Sequence, residues 1–250
     1  MSARAAGQLC LTMLLGCPFA ALAGGYATRF TLAENPISEG GRWINGGIVG
    51  LDWSDVSTQA GLAIGHQVGA SYTDATALLA GNWGPEQTVT GTVHTTHQND
   101  WCYQEVELRL RSAVTPHSNT GYEVSFKMSQ SSLAYVIIVR WNGRLGSYNY
   151  LFKAQGTQFA VKNSDVVSAR ISGNIITAYI NGVQKARADI TSVSGPVYRS
   201  GSPGIGFNLE NGRAGCRGTN GDYGLTAFTA SDGLPAPARQ PTPSGRPKAN

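Results

Sequence analysis

Charge is scarce in this sequence. Only 14% of its 250 residues are Asp, Glu, Lys or Arg, which argues against a solvated helical protein and against a disordered chain. The 19 basic and 15 acidic residues nearly balance, and part of the excess sits on Arg4, Arg239, Arg246 and Lys248. No basic stripe is left to meet a phosphate backbone, so nucleic acid is not an expected partner. Long apolar runs are also missing. The N-terminal one, Leu9 to Leu15, is cut by Gly16 and Pro18 and falls short of the roughly 20 residues of a transmembrane helix. Beyond about residue 24, no stretch of Ala, Leu, Glu and Lys repeats with helical period. No Gly-rich phosphate loop leads from a strand into a helix, no Ser sits in a nucleophile elbow, and no repeat of about 20–50 residues appears. No cofactor is expected.

What the N-terminus does hold is an export signal. Arg4 precedes the short apolar core, and Ala21-Leu22-Ala23 forms a small-x-small cleavage site before Gly24. Residues 1–23 therefore read as a signal peptide and the protein as periplasmic or extracellular. A lipobox-like Leu14-Leu15-Gly16-Cys17 is the competing reading, with Cys17 lipidated. Four cysteines are present. With Cys10 and Cys17 in the leader, Cys102 and Cys216 remain, an even pair that reads as one disulfide in an oxidising compartment. Closing that loop would stabilise the fold by roughly 4–5 kcal/mol in the chain-entropy picture. Two buried free thiols are the alternative.

Glycine is abundant, at 32 residues, as turn-dense β proteins require. From Gln104 to Ile190 the chain alternates with period two. Val106, Leu108 and Leu110 oppose Glu105, Glu107, Arg109 and Arg111. Tyr122, Val124, Phe126 and Met128 oppose Glu123, Ser125 and Lys127. Tyr135 to Val139 is apolar on both faces and predicts an interior strand, with Arg140 near its end. Tyr148, Tyr150 and Phe152 oppose Asn149 and Lys153. Strands over Val167–Ile171 and Ile175–Ile180 follow, and Asn181-Gly182 predicts a tight hairpin into Val183–Ile190. Ile205–Leu209 and Tyr223–Phe228 supply later strands. The first half is less regular, with a short helix expected near Asp74–Ala80. Together these predict an all-β, antiparallel jelly-roll sandwich over residues 24–230. The Pro-rich residues 231–250 read as a disordered tail.

The run Ser172-Gly173-Asn174-Ile175 through Asn181-Gly182-Val183, with Gly201-Ser-Pro-Gly204-Ile-Gly206-Phe207 before a closing strand, resembles the concanavalin A-like, laminin G-like jelly rolls. The resemblance covers roughly residues 26–230 and is specific from about Gln104. It implies a sandwich fold and, in broad terms, glycan chemistry, since the superfamily includes lectins, carbohydrate-binding modules, glycoside hydrolases and polysaccharide lyases. Fold alone does not choose among them.

Candidate residues follow from these patterns. The glucanase pattern Glu-x-Asp-x-x-Glu is absent, and Glu105 with Glu107 on one strand face is the nearest approach to a carboxylate pair. A lyase on an acidic glycan would use Arg109, Lys127 or Arg140 to neutralise a uronate, with Tyr150 and His97 moving protons, but the lyases' Gln-Ile-His triplet is missing. His94, His97 and Asp100 are candidate metal ligands if their segment is a loop or helical turn; the alternative is a polar connection. His66 and His117 have no evident partner. A binding face is expected on the polar side of the sheet, formed by Glu107, Arg109, Glu123, Lys127, Arg140, Lys153 and Arg170, with exposed aromatics Trp83, Trp101, Tyr148 or Trp141 stacking on sugars. Ordinary cross-strand salt bridging is the other reading of that face. Trp43 and Trp53 read as packing residues. The expected partner is a glycan or cell-surface polymer, and an envelope structural module is the remaining alternative.

Overall fold

A computed structural model describes residues 24–67, 74–210, 216 and 218–233. The expected leader, with Cys10 and Cys17, and residues 234–250 of the expected tail lie outside the described residues. The strands are β1 (Gly25–Thr28), β2 (Trp43–Asn45), β3 (Val56–Gln59), β4 (Leu62–Gly65), β5 (Ala75–Leu79), β6 (Gln87–Thr95), β7 (Glu105–Thr115) and β8 (Ser118–Lys127). After these come β9 (Tyr135–Gly143), β10 (Tyr148–Gln155), β11 (Val166–Ser172), β12 (Ile175–Ile180), β13 (Val183–Asp189), β14 (Ser202–Asn208) and β15 (Tyr223–Ser231). Short 3-10 turns are the only helical pieces among the described residues.

The strands form two antiparallel sheets. One runs β13-β12-β11-β6-β15-β4-β3 with β1 also on β15, and the other runs β10-β9-β8-β7-β14-β5-β2. Between them lies a core that takes one residue in two from each strand: Val106, Leu108 and Leu110 from β7, Tyr122, Val124 and Phe126 from β8, Val167, Ala169 and Ile171 from β11. This is the sandwich that the alternation predicts. The Asn181-Gly182 turn has the two positive φ angles, +50° and +76°, of a tight hairpin. Cys102 and Cys216 are disulfide-bonded, which joins the approach to β7 to the segment between β14 and β15.

Three expectations change. The segment at Asp74–Ala80 is strand β5, not a helix. Its Ala and Leu residues favour a helix locally, but β5 pairs with β14 and β2 and is buried on both faces, so tertiary packing overrides propensity. The folded part also continues past Ala230: Ser231 pairs with Gly25 and Thr88, and the Asp232 carboxylate accepts the Gly84 amide at 2.7 Å. Arg111 leaves the parity of Arg109, because a bulge between Leu110 and Ala113 shifts the register of β7. Its guanidinium instead bonds the carbonyls of Pro85, Tyr198 and Gly173 and pairs with Glu86 at 3.5 Å, fastening loops at one end of the sandwich.

Candidate functional site

The outer face of the seven-stranded sheet is not a wet charged ladder. Glu107 and Arg109 are fully buried, and Glu105, Glu123 and Lys127 nearly so. They are enclosed because the neighbouring strands bring large apolar and aromatic side chains to the same face: Tyr135, Ile137, Val139 and Trp141 from β9, and Tyr148 and Tyr150 from β10. Leu51 and Trp53, on the loop between β2 and β3, pack against that wall, with the Trp53 and Trp141 rings edge-to-face at 5.2 Å. A cavity of about 410 Å³ remains, lined by Asp74, Glu105, Glu123, Trp141, Tyr148 and Lys153 among others. That volume lies within the range of small-ligand pockets.

Arg109 sits at the centre of the floor. It pairs with Glu107 on its own strand and with Glu123 directly across on β8, each at 2.6 Å. Glu123 also accepts hydrogen bonds from Ser125 and from the Trp141 indole, both at 2.6 Å. Glu107 keeps one oxygen, Oε1, buried without a partner. Glu105 accepts from the Tyr135 hydroxyl and from Asn208 at 2.9 Å. Burial nonetheless pushes its carboxyl up to about 7. Asp74, just before β5, is pushed up to about 8, first by burial and then by the charge of Glu123. Glu107 is also raised, for the same two reasons. Cations face rings throughout: Arg109 lies 5.7 Å from Trp141, Lys127 lies 5.7 and 5.6 Å from Tyr103 and Tyr135, and Lys153 lies 4.7 Å from Tyr150.

The residues singled out from sequence divide accordingly. Tyr148, Tyr150 and Lys153 line the cavity, and Glu107, Arg109 and Lys127 support it from below or beside. Lys153 was expected opposite Tyr148 and Tyr150; the bulge at Leu151, between Tyr150 and Phe152, brings it to their side. Trp141 is not an exposed loop ring but a buried residue of β9. Arg140 has the parity of Val136 and Ile138, the interior side, and bonds the Val193 and Ser194 carbonyls and the Asn142 and Asn149 side chains. Arg170 is on β11 of the other sheet. Trp101 is 60% exposed and outside the cavity, and Trp83 is half-buried against the core. Trp43 and Trp53 are buried, as read. Asp74 and Asn208 were missed, because a single acid at a strand start and an Asn at a strand end carry no periodic signal.

The metal reading moves. His94 lies on β6 and His97 is exposed in the loop beyond it, and they form no ligand group with Asp100. Asp100 instead accepts the Ser129 hydroxyl. The one group of three metal-type ligands among the described residues is Asp74, Glu107 and Glu123, whose oxygens lie within 4.8 Å of one another. Arg109 already answers two of them. His117 pairs with Asp52 at the surface, 2.8 Å apart. Among the described residues no histidine lines the cavity.

The sequence matches no family model, and no curated protein matches it. Solved structures do. A structure from work on endo-acting O-glycanases of human gut microbiota that initiate mucin breakdown superposes with a TM-score of 0.53 at 10% identity, over 84% of this chain and 99% of that one. The chain has the concanavalin A-like jelly-roll fold. The carbohydrate-binding module CBM66 of Bacillus subtilis matches with a TM-score of 0.48 at 12% identity, over 78% and 95% of the two chains. The beta-porphyranase BpGH16B of Bacteroides plebeius matches with 0.48 at 8% identity, over 87% and 94%. At these identities the likeness is one of architecture.

Proposed function

We infer that this protein binds a carbohydrate in the cavity on the outer face of the seven-stranded sheet. The observation that carries the reading is the wall Trp141–Tyr148–Tyr150, with neighbouring ring centroids 5.2 and 5.4 Å apart, standing over a floor of buried carboxyls. Sugar rings offer apolar C–H faces to such rings and hydroxyls to such acids, and concave apolar pockets with a few convergent polar groups are where small ligands bind. The structure from work on endo-acting O-glycanases, which shares this architecture at a TM-score of 0.53, supports the same class. Tyr148, Tyr150 and Lys153 are taken as contacts, with Glu107, Arg109 and Lys127 holding the floor.

A glycan array followed by titration calorimetry tests this. Tyr148→Ala removes a half-exposed ring that no core packing needs, and is expected to weaken any ligand found about tenfold or more, the range of an aromatic contact at a binding hot spot. No binding across a broad array would leave a structural or interaction module of the envelope.

One observation favours a second reading, a hydrolase. Glu105 and Asp74 are carboxyls kept protonated near neutral pH by burial, the state a general acid needs. New reducing ends on incubation with a bound glycan, lost in Glu105→Gln, would support it. A lyase has no such support: among the described residues no histidine lines the cavity, and Tyr135 and Tyr148 are both pushed above the usual tyrosine value, Tyr135 by burial and Tyr148 first by its hydrogen bond with Tyr150. A tyrosine base would need the opposite shift.

We also take the protein to be exported, with residues 1–23 cleaved as a leader. The disulfide fits an oxidising compartment, and no helix among the described residues is long and apolar enough to cross a membrane. The N-terminal sequence of protein recovered outside the cytoplasm should begin near Gly24; a lipid-modified Cys17 would favour the lipobox.

A further inference from the structure

Three of the four acids on the cavity floor have at least one oxygen bonded or paired by another side chain. Glu105 has Tyr135, Asn208 and the nearby charge of Lys127. Glu107 and Glu123 share Arg109. Asp74 differs. Among the described residues no side chain donates to its carboxyl or pairs with it, and only its own backbone amide bonds it. Yet Asp74 is only 8% exposed and lines the cavity. The carboxyl thus keeps one local backbone bond and otherwise faces the cavity, where a ligand can supply the donor that no side chain does.

The surroundings narrow what that is. Asp74, Glu105 and Glu123 line the cavity against one lining cation, Lys153. Five of the lining residues are aromatic, Tyr103, Tyr135, Trp141, Tyr148 and Tyr150, and aromatic faces over a carboxylate attract cations. An acidic sugar would hold Asp74 and Glu105 in their protonated forms; a sugar carrying an ammonium group would meet an acceptor able to ionise, and a ring.

We propose that the cavity takes an amino sugar with a free ammonium group, held by Asp74 and stacked on the Trp141–Tyr148–Tyr150 wall. This rests on the carbohydrate-binding reading and names its ligand class. The Asp74 carboxyl, raised to about 8 in the free protein, holds a proton at neutral pH. Docking an ammonium there ionises it, so binding releases a proton to the buffer. A neutral sugar, bonded to the protonated carboxyl, releases none.

The test is calorimetry on the whole protein with glucosamine oligomers, their N-acetylated counterparts, neutral glucose oligomers and uronate oligomers of equal length. Running it below the pKa of the sugar amine, so that the free ligand is wholly ammonium, and in two buffers of different ionisation enthalpy reads the proton. The glucosamine oligomer should bind at least about tenfold tighter than the others, as a charge-assisted hydrogen bond provides, with net proton release. Asp74→Asn, which has the shape of the protonated acid and so should fold, should abolish both the preference and the release. Equal or tighter binding of neutral, acetylated or uronate oligomers overturns the inference, as does a preference that survives Asp74→Asn. Binding that appears only with added calcium or manganese also overturns it, assigning the acids to a metal instead. If neutral or acetylated oligomers bind and Tyr148→Ala weakens them, the carbohydrate-binding reading stands and only the amino-sugar inference falls. If none of these oligomers and no glycan of the broad array binds, both fall.

Discussion

At the scale of single residues, the decisive fact is that Arg109 is buried between Glu107 and Glu123. Removing one member of a buried ion pair leaves the others uncompensated. Arg109→Met is therefore expected to cost about 3–5 kcal/mol, read as a shift in the urea midpoint. The raised carboxyls predict a pH dependence. Asp74 and Glu105 bind their protons more tightly folded than unfolded. Their contribution to stability is complete below about pH 4 and is lost as pH rises through their folded values of about 8 and 7. Between pH 5 and 8 the melting temperature should fall, and Asp74→Asn or Glu105→Gln should flatten the slope; an unchanged slope in both would contradict the buried, protonated acids. The alternation of β7 made it legible that Glu105, Glu107 and Arg109 share a face. Their burial was not legible, because the rings that cover them come from β9 and β10, and nothing local to β7 announces a lid.

At the scale of elements, β14 is the piece that makes the floor possible. It lies between β7 and β5, and its outward positions are Gly204, Gly206 and Asn208. A Cβ on Gly206 would come within 2.3 Å of the Glu107 carboxylate and 2.9 Å of the Ala75 carbonyl. Glycine is thus required here by close approach rather than by backbone angle. Gly206→Ala should destabilise by at least the roughly 1–3 kcal/mol typical of overpacking and displace Glu107, and thermal unfolding together with ligand titration would show both. The sequence resemblance covered this strand but gave no reason for its glycines. Bulges account for the other misreadings at this scale. One extra residue at Leu151 exchanges the faces of β10, and the shift beyond Leu110 redirects Arg111. A strict period of two cannot foresee an insertion of one.

At the scale of the whole molecule, the sandwich, its hairpin at Asn181-Gly182 and its cystine were all readable, because each leaves a local or arithmetic trace. Strand order was readable where neighbours in sequence pair, from β7 to β10 and from β11 to β13. The insertion of β14 beside β7 was not. The Cys102–Cys216 bond spans 114 residues and ties this non-local arrangement together. Replacing both cysteines by serine should cost about 2–4 kcal/mol, measured as a fall in the denaturant midpoint. Free-thiol labelling of the denatured, unreduced protein should find neither cysteine reactive.

The place of β14 between β7 and β5 also has a kinetic consequence. The cavity draws on residues from Asp74 to Asn208, so during synthesis it cannot be complete until the growing chain has passed Asn208. Such long-range pairing is slow to form, with all-β sandwiches folding over milliseconds to seconds. A ligand therefore meets only a nearly finished molecule. It can hold the folded chain longer against unfolding, but it cannot guide the early steps by which the sheets find their order.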